Sequence, residues 1–129
     1  MSTSYKNLIV YAPVTISAGQ TTSTILNCIT TSEGAACPRR INFPANWTPA
    51  DVFFLLSETA DFAVSKEINI SQNNLTNIYS IPSCPANCTI PLTPWIFDSV
   101  AYLKIVSSTP QVQTVTVDFI LQPIYQGVA

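Results

Sequence analysis

The chain has no histidine, three glycines and one methionine, and only 9% of its 129 residues are charged. Each shortage removes a class of function. Without histidine, the side chain best suited to proton transfer near neutral pH is missing, and so is the commonest metal ligand. Three scattered glycines cannot build a Gly-rich phosphate loop. Five basic against seven acidic residues, with a pI near 4.7, give no electrostatic footprint for nucleic acid. Arg39–Arg40 is the one basic pair and reads as a solvated strand end or an interface pair. No apolar run approaches the ~20 residues of a membrane-spanning helix. The run Leu8-Ile-Val-Tyr-Ala12 is too short for a secretory signal, so synthesis in a cytoplasm and no membrane partner are expected.

The charge shortage has a second consequence. Soluble domains usually carry about 25% Asp, Glu, Lys and Arg. Here the few charges must serve a surface that size scaling puts at ~6,700 Å². Such a surface suits burial against other chains. Thr15–Thr31 and Ser71–Asn77, rich in Thr, Ser, Asn and Gln, read either as contact surface or as ordinary exposed strands and loops. Uncharged polar side chains hydrogen-bond across an interface without the cost of burying a charge.

What is present is a β pattern. Hydrophobic residues make up 47% of the chain, in short runs of Val, Ile, Thr, Tyr and Phe cut by ten prolines. Strands are predicted at 6–16, 21–30, 38–43, 51–57, 64–70, 76–81, 88–91, 99–107 and 112–122. In the last, Val115, Val117, Phe119 and Leu121 share one face, and Ile120 is the apolar exception on the other. Ala101, Leu103 and Ile105 alternate with Tyr102 and Lys104 in the strand before it. The turn Ser107-Ser-Thr-Pro110 predicts that these two strands pair as a hairpin. Pro13 marks an edge or a bulge. Thr93-Pro-Trp-Ile-Phe-Asp98 predicts one helical turn, with Thr93 as cap and Pro94 in first position. The sum is an all-β chain: a single jelly-roll-like antiparallel β-sandwich of eight to nine strands over 1–129, with a loose tail at 125–129.

The cysteines are Cys28, Cys37, Cys84 and Cys88. Only the second pair approaches zinc-ligand spacing, so no metal site is expected. Two disulfides are the better reading, with three connectivities open, and buried free thiols are the alternative in a chain made in a reducing compartment. No base accompanies any cysteine, which argues against a catalytic thiol. Four Asn-x-Ser/Thr sequons occur, as chance allows in so polar a chain. The carboxylates Glu33, Asp51, Glu58, Asp61, Glu67, Asp98 and Asp118 form no recognisable catalytic pair. Asp51 and Asp98 read as strand starts or turn caps, and Glu58 and Asp61 as solvated turn residues. Asn69-Ile-Ser-Gln-Asn-Asn74 lacks the carboxylates and Gly of a calcium loop.

Two blocks exceed the generic pattern. One is Ile41-Asn-Phe-Pro-Ala-Asn-Trp-Thr-Pro-Ala-Asp-Val-Phe-Phe-Leu-Leu-Ser57, read as a strand, a turn about Pro44 and Pro49, and a buried strand from Val52 to Leu56. The other is Leu92-Thr-Pro-Trp-Ile-Phe-Asp-Ser-Val-Ala-Tyr-Leu-Lys-Ile-Val-Ser-Ser108. Together they resemble the small β-sandwich virion proteins of tailed bacteriophages and prophages, which show a Pro-Ala-x-Trp-Thr segment before a strand and an aromatic turn before Tyr-Leu-Lys-Ile-x-Ser. The resemblance covers residues 38–57 and 90–124. It departs at Ser57-Glu-Thr-Ala-Asp-Phe-Ala63, where the family often has Ser-x-Asp-Gly, and the Cys84–Cys88 loop lies outside it.

The resemblance implies a virion structural role without cofactors or catalysis, assembled in the host bacterial cytoplasm. Its partners would be the major capsid protein or other virion proteins, with self-association as a homo-oligomer. Capsid decoration or cementing is the leading expectation, and a tail, neck or baseplate part is the alternative. A receptor- or carbohydrate-binding module is a third reading, using Trp47, Trp95 or Tyr79 as stacking platforms. The bland reading of the same aromatics is that they plug the ends of the core.

Overall fold

The computed structural model describes residues 10–29, 35–70, 78–97 and 100–123. Among these residues nine strands run in chain order: β1 (Val10–Ile16), β2 (Leu26–Asn27), β3 (Ala36–Phe43), β4 (Ala50–Ser57), β5 (Lys66–Glu67), β6 (Ser80–Cys84), β7 (Cys88–Pro91), β8 (Tyr102–Ser107) and β9 (Val115–Pro123). One helical turn, α1 (Pro94–Phe97), precedes β8, as the Thr93-Pro94 signal predicts. The strands form two antiparallel sheets, one ordered β1-β9-β3-β7 and the other β2-β8-β4-β5, with β6 also on β4. The expected β-sandwich is what the chain forms. The predicted tail lies outside the described residues.

The pairing is nested. β1 pairs β9, β2 pairs β8, β3 pairs β7 and β4 pairs β6. Two further ladders, β3 with β9 and β4 with β8, close each sheet. The chain therefore behaves as one long hairpin whose paired arms fold over each other. This overturns the predicted 99–107 to 112–122 hairpin: β8 and β9 lie in different sheets, and residues 108–114 cross between them. The Ser-Ser-Thr-Pro turn signal is local, whereas the choice of partner is set by burial. β8 pairs on both sides within one sheet, and β9 on both sides within the other.

Alternation decides what each strand buries. Val115, Val117, Phe119 and Leu121 are buried inside the four-stranded sheet, facing Val52, Phe54, Leu103 and Ile105 from the other. Phe97 meets Phe54 and Tyr79 edge-on, at 5.0 and 5.8 Å between ring centroids, and Phe54 and Tyr79 lie 5.6 Å apart at a tilt of 30°. Prolines obey the ladder rules: Pro13 lies on the edge strand β1, and Pro38 sits where the β3–β9 register shifts. Predicted strands 21–30 and 64–70 shrink to two residues each, with isolated bridges at Thr22 and Asn69.

The crossing segment is anchored by Gln111, a fully buried side chain. Its Oε1 accepts from the Thr48 amide at 2.7 Å, and its Nε2 donates to the Thr48 carbonyl at 3.0 Å and to Ser107 Oγ at 3.1 Å. Its carbonyl accepts from the Gly19 amide at 2.7 Å, and its own amide donates to Gln20. Gly19 reaches that position with φ of +80°, a conformation that glycine adopts without steric cost. One residue thus ties three loops at one end of the sandwich. Gln111→Ala strands several buried polar groups, and each buried unsatisfied group costs about 1–3 kcal/mol. A loss of about 2–4 kcal/mol in urea unfolding is expected, and a loss below about 0.5 kcal/mol contradicts this role.

Candidate functional site

The aromatics proposed as sugar platforms are distributed by the fold. Trp47 is buried, lies 4.6 Å from the Phe43 ring, and donates from Nε1 to the Cys84 carbonyl at 3.1 Å. Tyr79 is half-buried against Phe54 and Phe97, and burial pushes its phenol above the usual range despite a hydrogen bond with Thr93. Both act as core plugs. Trp95 falls in α1, and its side chain is outside the described residues.

No group of three or more Cys, Asp or Glu able to hold a metal occurs among the described residues. Asp51 caps a turn, its carboxylate accepting from the Ser83 amide at 2.7 Å where Ser83 has φ of +52°. Asp61 organises the 57–63 turn. It accepts from Thr59 Oγ1 at 2.8 Å and from the Ala63 amide at 3.0 Å, and these bonds hold its carboxyl below the usual range. Phe62 takes the left-handed conformation at φ of +57°, and Lys104 Nζ lies 4.7 Å from its ring centre. Glu33 and Asp98 lie outside the described residues.

This turn borders a cleft of about 450 Å³ lined by Leu56, Glu58, Val64, Lys66, Glu67 and Val100, among others. Glu58 and Glu67 are the two carboxylates there, both solvent-exposed. Glu58 reads in the sequence as a solvated turn residue, and Lys66 and Glu67 fall in the predicted strand 64–70, so no residue pattern marks the cleft.

Part of the polar stretch from Thr15 is tied into the sheets, mainly through its backbone. The Ser23 amide donates to the Ile105 carbonyl, Ser23 Oγ accepts from the Ile105 amide, and the Ser107 amide donates to the Thr21 carbonyl. Thr24 Oγ1 accepts from the Thr15 amide. The Ser23 and Thr21 bonds extend the pairing along β8, while the side chains of Ser17, Gln20, Thr22, Thr24 and Asn27 stay exposed. Ser71–Asn77 is outside the described residues.

The outer face of the five-stranded sheet presents a different surface. Val52 and Phe54 point inward, so Phe53 and Leu55 point away from the core, with Val106 and Lys104 as their register partners on β8. The Val52–Leu56 run, read from sequence as wholly buried, is split between two faces. Phe53, Leu55 and Val106 are only half-buried, and on β8 Lys104 stands between Val106 and the half-buried Tyr102. This apolar strip borders the cleft through Leu56 and Glu67, the latter paired with Leu55.

No family model, curated protein or solved structure matches this chain.

The four cysteines are thiols rather than disulfides in the structure. Burial, with Cys37 close by, pushes Cys28 up from 9.0 to about 12. Burial, with Asp51 and Cys88 adding to it, pushes Cys84 up from 9.0 to about 11. A thiol whose pKa rises on folding contributes stability that is complete below its unfolded value and is lost as pH climbs through the folded one. Under reducing conditions, unfolding free energy should therefore hold steady as the solution approaches pH 9.0 and decline from there toward about 12. Cys28→Ala should shallow that decline in denaturant titrations across the alkaline range, and an unchanged slope contradicts the assignment.

Proposed function

We propose that this protein is a non-enzymatic structural component of a tailed-bacteriophage virion, of jelly-roll architecture, that decorates or cements the capsid shell. The nested pairing supports the architecture: eight strands in two four-stranded layers, each antiparallel pair enclosing the next, with β5 added at one margin. The Pro-Ala-Asn-Trp-Thr and Tyr-Leu-Lys-Ile-Val-Ser blocks support the family reading. The observation that carries the role is the apolar strip Phe53, Leu55, Tyr102 and Val106 on an outer sheet face of a charge-poor chain.

An accessible surface of 7368 Å² shared by seven acidic and five basic residues is thinly charged. Covering the strip against a neighbouring subunit removes apolar area from water without desolvating many charges. A contact of the usual ~800 Å² per partner would strengthen the shell by mass action, because the buried area exists only in the assembled state. Self-association around a symmetry axis would multiply such contacts. With Trp47 and Tyr79 taken up by the core, the sugar-binding reading loses two of its platforms.

Purified particles test this proposal. Copy number should match the lattice sites of the shell, and a density map should place the Phe53–Val106 face against the major capsid protein. Binding should change less than about threefold between ~0.05 and ~0.5 M salt, since few charges contribute. Copy numbers matching a tail, neck or baseplate ring would reassign the protein within the virion. Absence from particles, or a solvent-exposed strip in them, overturns the proposal.

A further inference from the structure

The cysteines divide between the sheets in a way that the sequence spacing conceals. Cys37 lies in β3 and Cys88 in β7, both strands of the four-stranded sheet. Cys84 ends β6 in the other sheet. Cys28 follows β2 and continues its ladder, its amide donating to the Ala101 carbonyl at 2.9 Å beside β8. Each near-sequence pair therefore has one cysteine on each sheet. The pairs also sit at opposite ends of the sandwich. Cys37 is at the start of β3, whereas Cys88 is in register with Phe43 at its end. Six residues of strand separate the two sites by roughly 20 Å.

Within each pair the backbone is brought close. The Ala36 amide donates to the Cys28 carbonyl at 2.8 Å, which puts Cys37 one residue from a direct backbone contact with Cys28. The Cys84–Cys88 connection turns sharply, with Asn87 at φ of +56° and its amide bound to the Pro44 carbonyl at 3.0 Å. Cys28, Cys37 and Cys84 are buried, and Cys88 is half-buried.

We propose that this chain carries two latent inter-sheet staples, Cys28–Cys37 and Cys84–Cys88, which close as disulfides when the folded protein meets a small-molecule disulfide oxidant. The chemistry is thiol–disulfide exchange. A cysteine thiolate attacks one sulfur of the oxidant and expels a thiolate. Its neighbour, having lost its proton to water, then attacks the mixed disulfide and expels the second. Two protein thiols are oxidised, one oxidant disulfide is reduced to two thiols, and each bridge removes two hydrogens from the chain. The half-buried Cys88 is the accessible entry point, so the 84–88 staple closes first. The 28–37 staple has no exposed member and waits on local opening. Of the three possible connectivities, only the local one joins the two sheets at both ends. The inference stands independently of the virion proposal.

The test is oxidation of the folded, full-length chain with oxidised glutathione, followed by alkylation in denaturant and non-reducing peptide mapping. The expected products are a cross-linked 28–37 pair and a two-hydrogen loss within the peptide holding Cys84 and Cys88, the latter forming at least about tenfold faster. Cys88→Ser should leave Cys84 without a disulfide to either remaining cysteine and the 28–37 bridge intact, and Cys28→Ser the reverse. Four alkylated cysteines after prolonged oxidation, or any bridge between one pair and the other, would overturn the proposal.

Discussion

A two-sheet sandwich with nested pairing must pass its chain repeatedly from one layer to the other, and every passage exposes backbone groups that no strand can satisfy. Gln111 meets that demand where it is most severe. The segment leaving β8 must abandon a tempting hairpin and cross to the opposite sheet, and the Gln111 amide group holds Thr48 and Ser107 while its backbone holds Gly19 and Gln20. A neutral amide can both donate and accept in a dry site, which neither a carboxylate nor an aliphatic side chain can do. The end of the core beneath is closed by Trp47, whose indole is itself bound to the Cys84 carbonyl. Once this end is fixed, β8 and β9 can each lie between two partners, and the nested order follows.

The charge shortage fits that design. Few side chains are required to keep the two sheets together by ionic contacts, because alternating apolar residues and buried neutral polar groups supply the cohesion. What remains outside is a thinly charged surface with an apolar strip along β4 and β8. Such a surface is a liability for a solitary chain and an asset for one that lives against neighbours. The proposed role in a virion uses the second possibility, and the latent staples would add a covalent tie between the sheets at each end.

Much of the fold was legible in the residues because alternation has a strict period of two. The buried face of β9, the edge position of Pro13 and the helical turn at Thr93 were all visible in the chain. Partner choice was not, since Ser107-Ser-Thr-Pro110 reads as a hairpin turn whichever sheet the next strand joins. The structural use of Ser23 and Thr24 was likewise hidden, because exposed and sheet-bonded Thr and Ser look alike in sequence. Phe53 and Leu55 read as core residues on hydrophobicity alone, yet alternation with the fully buried Val52 and Phe54 turns them to the outer face. Gln111 gave no signal at all: a single Gln beside a Pro in a polar turn is what a solvated loop also contains.

The Gln111 crossing should be as firmly closed as the core it caps. Native-state amide hydrogen exchange reads this directly. The Thr48 and Gly19 amides lie in loops, yet each donates to Gln111. Both should exchange with protection comparable to the Phe119 amide in the middle of β9, through global opening. Exchange at the rate of an exposed loop, while Phe119 stays protected, would show that the crossing opens independently of the core.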